Sequence, residues 1–221
     1  LKMSGEGKLF RCVLTGGPCG GKSSILNHLQ RVLPGMGFRV VTVPEASTMI
    51  VSNGGHYPGM SEDKRSLLLQ YESVLVHLQL QLEDVFVELS EYYRRQGENV
   101  VLVYDRGMMD VKAYAPADIW ESLLTQFNVT EAILTSRYDI VIHLVTAADG
   151  AEGFYTSANN AARIETAEQA RELDSRTFDC WKAHSHLFRI ENKPLENSFS
   201  VKVNEAVGTL KEFLEKRLEH Q

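Results

Sequence analysis

The run Gly16-Gly17-Pro18-Cys19-Gly20-Gly21-Lys22-Ser23 fits the pattern GxxxxGK(S/T) and constrains this chain more than any other stretch. Residues 9–15 before it are mostly apolar and of strand length. Residues 24–33 after it carry apolar side chains at positions 25, 26, 29, 32 and 33, a spacing that gathers them on one helical face. The local order is strand, glycine loop, helix. Glycines let such a loop turn its N–H groups inward around phosphate oxygens, and the helix that follows adds unpaired N–H groups and the positive end of its dipole. Gly16, Gly17, Pro18, Cys19, Gly20, Gly21, Lys22, Ser23 and Ser24 are therefore the candidate nucleotide contacts. Lys22 is expected to reach the β and γ phosphates, and the Ser23 hydroxyl to ligate Mg2+.

With 221 residues, 43% hydrophobic and 24% charged, the chain is expected to form one α/β domain around a substantial core. Its formal charge of -6 argues against a general affinity for nucleic acid or anionic membranes. Cys12, Cys19 and Cys180 show no CxxC spacing and no secretory leader precedes them, so reduced thiols and a cytoplasmic location are expected. No apolar run reaches membrane-spanning length, so no transmembrane segment is expected. No clustered His/Cys spacing suggests zinc.

Further strands are read at 38–43, 100–105, 138–145 and 187–192, with helices at 46–51, 64–96 and 198–218. The long helix at 64–96 shows an apolar stripe through Leu67, Tyr71, Val74, Leu75, Leu78, Leu82, Val85, Phe86, Leu89 and Tyr93, which recur at threes and fours. In parallel α/β sheets ligands gather outside the carboxyl ends of the strands. Glu45, just past the second strand, is placed to bind a substrate hydroxyl, act as a base or orient Mg2+; starting a helix explains it as well. Asp105 ends a continuous apolar run and is the candidate metal acid, holding Mg2+ directly or through water. Arg106 contacts phosphate or anchors an acidic partner. Asn192 offers a nucleobase edge both a donor and an acceptor, or serves as a turn residue. The segment 107–136 reads as wall rather than chemistry, and 148–176 as a lid in which Arg163 is the preferred cation over the phosphates, with Arg171 and Arg176 equally explained by helical pairing with Glu168 and Glu172.

Thr15–Ser23, Val43-Pro44-Glu45, Asp105-Arg106-Gly107-Met108-Met109-Asp110, the run from Ala147 to Tyr155, and Ala170-Arg171-Glu172-Leu173-Asp174 occur in this order. Together they resemble the P-loop (AAA_28-type, kinase-like) domain of the TRPL translocation defect protein family. The resemblance implies a three-layer P-loop sandwich related to nucleoside and nucleotide kinases, with a five-stranded parallel sheet of order 2-3-1-4-5 over residues 9–221, residues 1–8 being disordered or extraneous. It further implies Mg2+, a purine nucleotide that is GTP with ATP open, slow hydrolysis, a regulatory role in trafficking, and contact with phosphatidic acid or a phosphoinositide at a membrane periphery. Longer members join this domain to a CYTH domain with an ExExK signature that this sequence lacks, so a single-domain version or the amino-terminal part of a longer chain is expected. The layout of Glu45, Asp105 and Arg106 equally suits a small-molecule or nucleoside kinase that passes the γ-phosphate to a hydroxyl.

Overall fold

A computed structural model describes residues 5–151, 166–193 and 198–219. Five strands, β1 (Leu9–Thr15), β2 (Phe38–Val43), β3 (Asn99–Asp105), β4 (Ile140–Leu144) and β5 (Leu187–Ile190), pair in parallel in the order β2-β3-β1-β4-β5. That order is the one the resemblance implies.

The strands read as unbroken apolar runs because both faces of the sheet are covered. Phe10, Cys12 and Leu14 of β1 and Val101 and Val103 of β3 share one core with Ile25 and Leu29 of α1 (Lys22–Val32) and Ala206, Leu210 and Leu214 of α8 (Ser198–Glu219). The alternate residues Val13, Val100, Leu102 and Tyr104 face the other core. There they meet α3 (Arg65–Arg95), α4 (Met108–Tyr114), α5 (Ala117–Gln126) and Trp181 at the end of α7 (Ala167–Trp181). Two short helices, α2 (Ala46–Ser52) and α6 (Glu131–Thr135), complete the set among the described residues.

The long helix departs in part from expectation in its facing. Of the apolar stripe, Leu82, Phe86 and Tyr93 pack partly buried against the core, whereas Leu67, Val74, Val85 and Leu89 are exposed, and the fully buried line on α3 is Leu68, Glu72, Val76, Gln79, Glu83 and Ser90. Periodicity reports which residues share a face, and here long-range partners decide which face turns inward. Glu83 accepts hydrogen bonds from Tyr138 Oη at 2.7 Å, Arg137 Nε at 2.7 Å and Gln79 Nε2 at 2.9 Å, so a carboxylate sits where an apolar side chain was expected. Tyr138 Oη also accepts from the backbone N–H of Met108 at 2.8 Å, which ties α3 to the first turn of α4 and thus to the carboxyl end of β3.

Two strands are shorter than read. β4 starts at Ile140, because Asp139 turns its carboxylate back to accept from the Arg11 N–H at 2.8 Å. β5 stops at Ile190, which leaves Asn192 two residues beyond the sheet.

Candidate nucleotide site

The sheet register sets the site. Leu14 pairs with Asp105 and Thr15 with His143, so the loop that leaves β1 emerges between the carboxyl ends of β3 and β4. Gly16 has φ +130, and a Cβ there would lie 2.1 Å from the Leu144 carbonyl oxygen; only glycine passes this point. Gly21, with φ +95, stands at the start of α1. The first turn of α1 carries no capping side-chain bond and no acid, so its dipole end has no built-in negative partner among the described residues.

The loop is held from beneath. The Gly17 N–H donates to Asp174 Oδ1 at 2.7 Å, and Thr146 Oγ1 donates to the Pro18 carbonyl at 2.5 Å. Asp174 Oδ1 also accepts from the Thr146 N–H at 3.0 Å, and its other oxygen meets His143 Nε2 at 3.2 Å. Burial alone would push the Asp174 carboxyl up, but His143 and the two N–H groups hold it below the usual carboxylate range. Lys22 Nζ donates back to the Gly16 and Gly17 carbonyls at 3.2 and 3.3 Å. Burial first, then the Arg106 guanidinium, lowers Lys22 to about 8, only partly offset by Glu45, Asp105 and Asp110. An ammonium so placed gains from an added anion.

Three acids converge on the far side of Lys22. Glu45 occupies the cap position of α2 without a side-chain cap bond; its carboxylate accepts from Arg106 Nε at 2.5 Å and from Thr48 Oγ1 at 2.6 Å. Burial would raise Glu45, yet Arg106 and Lys22 bring it down to about 2. Arg106 adopts φ 73, a left-handed conformation that costs a non-glycine residue about 1 kcal/mol. Its guanidinium spans Glu45, the Gly16 carbonyl at 3.3 Å and Asp110 Oδ1 at 3.4 Å, above the Tyr114 ring. Among the described residues, one buried oxygen of Asp105, Oδ1, has no hydrogen-bond partner. Burial raises its pKa most, and Glu45 and Asp110 add to the rise against Lys22 and Arg106.

An orphaned carboxylate oxygen beside an ammonium and a phosphate-type loop is the donor that Mg2+ requires, so Asp105 fits the metal. Ser23, exposed at the first turn of α1, is the second candidate ligand. Among the described residues no cluster of three His, Cys, Asp or Glu side chains is set to hold a metal ion.

Asp110 was not foreseen. The segment 107–136, read as wall, places this buried acid where it accepts from Thr15 Oγ1, from the Gly107 N–H at 2.9 Å and from Trp181 Nε1 at 3.3 Å. The signal was there in the Asp-Arg-Gly-Met-Met-Asp run, whose last residue falls one helical turn beyond Arg106. Asp174 lay in the fifth quoted segment without a role. Asn192 donates through Nδ2 to the Thr146 and Asp149 carbonyls at 2.7 and 2.6 Å and accepts from Lys202 Nζ at 2.9 Å, so a base edge would meet only the remaining lone pair of Oδ1. Arg171 Nη1 donates to the Ala148 carbonyl at 2.8 Å. Arg163 lies outside the described residues, as do residues 152–165 of the segment read as a lid.

The sheet order and the loop define a P-loop α/β fold of the nucleotide-kinase type. Residues 11–197 match the AAA_28 family, described as an AAA domain, and the chain belongs to that family. No curated protein matches it. Among solved structures it is similar to a thymidylate kinase from Ehrlichia chaffeensis, with a TM-score of 0.54 and 13% identity over 94% of this chain and 99% of that one. That likeness concerns the fold.

Proposed function

We propose that this chain is a magnesium-dependent phosphotransferase of the small-molecule kinase type, which takes the γ-phosphoryl group of a purine nucleoside triphosphate, GTP or ATP, to a hydroxyl acceptor. One observation carries the reading: the Glu45–Arg106 pair, 2.5 Å apart, stands at the carboxyl ends of β2 and β3 beside Lys22, on the side of α3 and α4. Phosphoryl transfer through a loose transition state needs charge stabilisation and alignment more than a strong base. Lys22 and Arg106 supply positive charge on either side of the moving group. Asp105 and Ser23 would hold Mg2+, whose bound charge neutralises the phosphates. Glu45, ionised across the physiological range, orients the attacking hydroxyl and takes its proton late. Arg163 is proposed as the lid cation that closes over the phosphates.

A second reading keeps the site and drops the acceptor: a GTP-binding regulator with slow hydrolysis, acting in trafficking near membrane phospholipid, as the TRPL-type resemblance implies. The observation in its favour is that both Glu45 oxygens already have partners, Arg106 and Thr48. Following γ-labelled ATP and GTP with Mg2+ and a panel of hydroxyl compounds separates the two. Label on an organic acceptor supports the kinase, label released only as phosphate supports the regulator, and a label that Lys22→Ala processes as fast as the parent overturns both.

A further inference from the structure

α3 turns a second apolar line to solvent. Leu67, Val74, Val85, Leu89 and Tyr92 are 39% to 60% exposed, and half-buried Tyr71 and Leu78 stand between them. Tyr71, Leu78, Val85 and Tyr92 recur every seven residues, the period that lays one helix along another. At about 100° per residue this line lies about 130° around the helix from the buried one of Leu68, Glu72, Val76, Gln79 and Glu83. Packing onto the sheet does not account for it.

The same face lacks charge. From Ser66 to Leu82 the sequence holds a single Asp, Glu, Lys or Arg, which is Glu72, and that residue is buried. For about five turns the exposed side chains are therefore apolar or, like Gln70 and Gln81, polar without a full charge. A helix face that only water covers ordinarily carries charges and pairs them three or four residues apart. Loss of charge together with exposed Leu, Val and Tyr is the composition of the centre of an interface. Gln126 Nε2 of α5 donates to Ser73 Oγ at 2.6 Å and Phe127 meets His77 edge-on, so α5 bounds one flank of the face and leaves the apolar line open.

We propose that a second copy of this chain docks here, the two α3 helices running antiparallel about a two-fold axis level with Gln79 and Leu80. That register sets Leu67 against the partner's Tyr92 and Val74 against the partner's Val85, and the two-fold repeats both pairs. Charge decides the orientation. Antiparallel, Asp84, Glu88 and Glu91 come opposite the uncharged half of the partner helix, whereas in a parallel pair Asp84 and Glu88 would meet their own copies. Arg65 and Arg94, which come opposite each other at the ends, are already paired within their own copy, Arg65 with Asp118 and Arg94 with Glu91. An open hollow of about 510 Å³ beside Tyr92, lined by Val87, Glu88 and Arg95, lies where the partner's Leu67 enters. The line is about 38 Å long and a helix about 10 Å wide, so the two helices cover about 800 Å² together. With the polar rim this comes to about 1,000 Å², the size of a reversible dimer rather than an obligate one. The dimer does not depend on the phosphotransferase reading.

Sedimentation velocity across the micromolar range tests it. The parent shifts from monomer to dimer as concentration rises. Val74→Glu and Val85→Lys, both at exposed positions, each weaken the dimer at least about tenfold. Both keep the parent's melting temperature at a dilution where all three are monomers. An equimolar mixture of the two variants associates more strongly than either alone, because the register brings the two new charges together. A parent that stays monomeric, or variants that dimerise as well as the parent, overturn the interface. A mixture no stronger than its components overturns the antiparallel register.

Discussion

The backbone amide of Gly17 and the carboxylate of Asp174 meet at 2.7 Å although 157 positions separate them. The bond joins the phosphate-type loop to α7, and the same oxygen takes the Thr146 N–H at the end of β4. Replacing Asp174 with Ala strands two buried donors. The expected loss is on the order of 3 kcal/mol in urea unfolding, with a weaker affinity for triphosphate. Because the folded pKa is depressed below 3.8, this stabilisation is present above pH 3.8 and fades as the pH falls through the folded value. The gap between parent and variant should therefore narrow in acid.

Lys22 gives a second, pH-dependent expectation. Its folded pKa of about 8 lies below the ordinary 10.5, so the unfolded chain binds more protons between these values, and this group's contribution to stability rises with pH there. An anion on Nζ raises the folded value again. Nucleotide binding at pH 8.5 should take up a fraction of one proton, read by calorimetry in buffers of different ionisation enthalpy. Lys22→Met should abolish the uptake, and uptake that persists unchanged in that variant removes Lys22 as its source.

Glycines of the chain differ in what they tolerate. Gly16→Ala places a methyl 2.1 Å from the Leu144 carbonyl at φ +130, whereas Gly35→Ala meets nothing within 4 Å. Thermal unfolding should show Gly16→Ala strongly destabilised or misfolded, by more than about 2 kcal/mol, and Gly35→Ala within about 0.5 kcal/mol of the parent. Equal melting temperatures would contradict the close approach of the loop to β4.

The elements that sequence reading found are those whose signals are local. The phosphate-type loop is written in glycines, two of which, Gly16 and Gly21, take positive φ, and β3 in an apolar run that ends at an acid. Glu45, Asp105 and Arg106 follow from the rule that parallel strands present their carboxyl ends to a ligand. The roles of Asp110 and Asp174 depend on partners far away in sequence, such as Gly17 for Asp174 and Trp181 for Asp110, and no periodicity encodes them. The α3 stripe held only in part for the same reason: Leu82, Phe86 and Tyr93 pack against the core, but the bonds of Glu83 to Tyr138 and Arg137 set the fully buried line beside them.

The central claim is that the Lys22 loop and the unpartnered oxygen of Asp105 are one magnesium–nucleotide site. Calorimetric titration of ATP and GTP, with Mg2+ and with EDTA, into the parent and Asp105→Asn tests it most directly. The account predicts that Mg2+ tightens triphosphate binding to the parent at least about tenfold, which is about 1.4 kcal/mol. It predicts that Asp105→Asn loses this increment while its metal-free affinity stays within about threefold. A parent that binds neither triphosphate, or a variant that keeps the full Mg2+ increment, would contradict it.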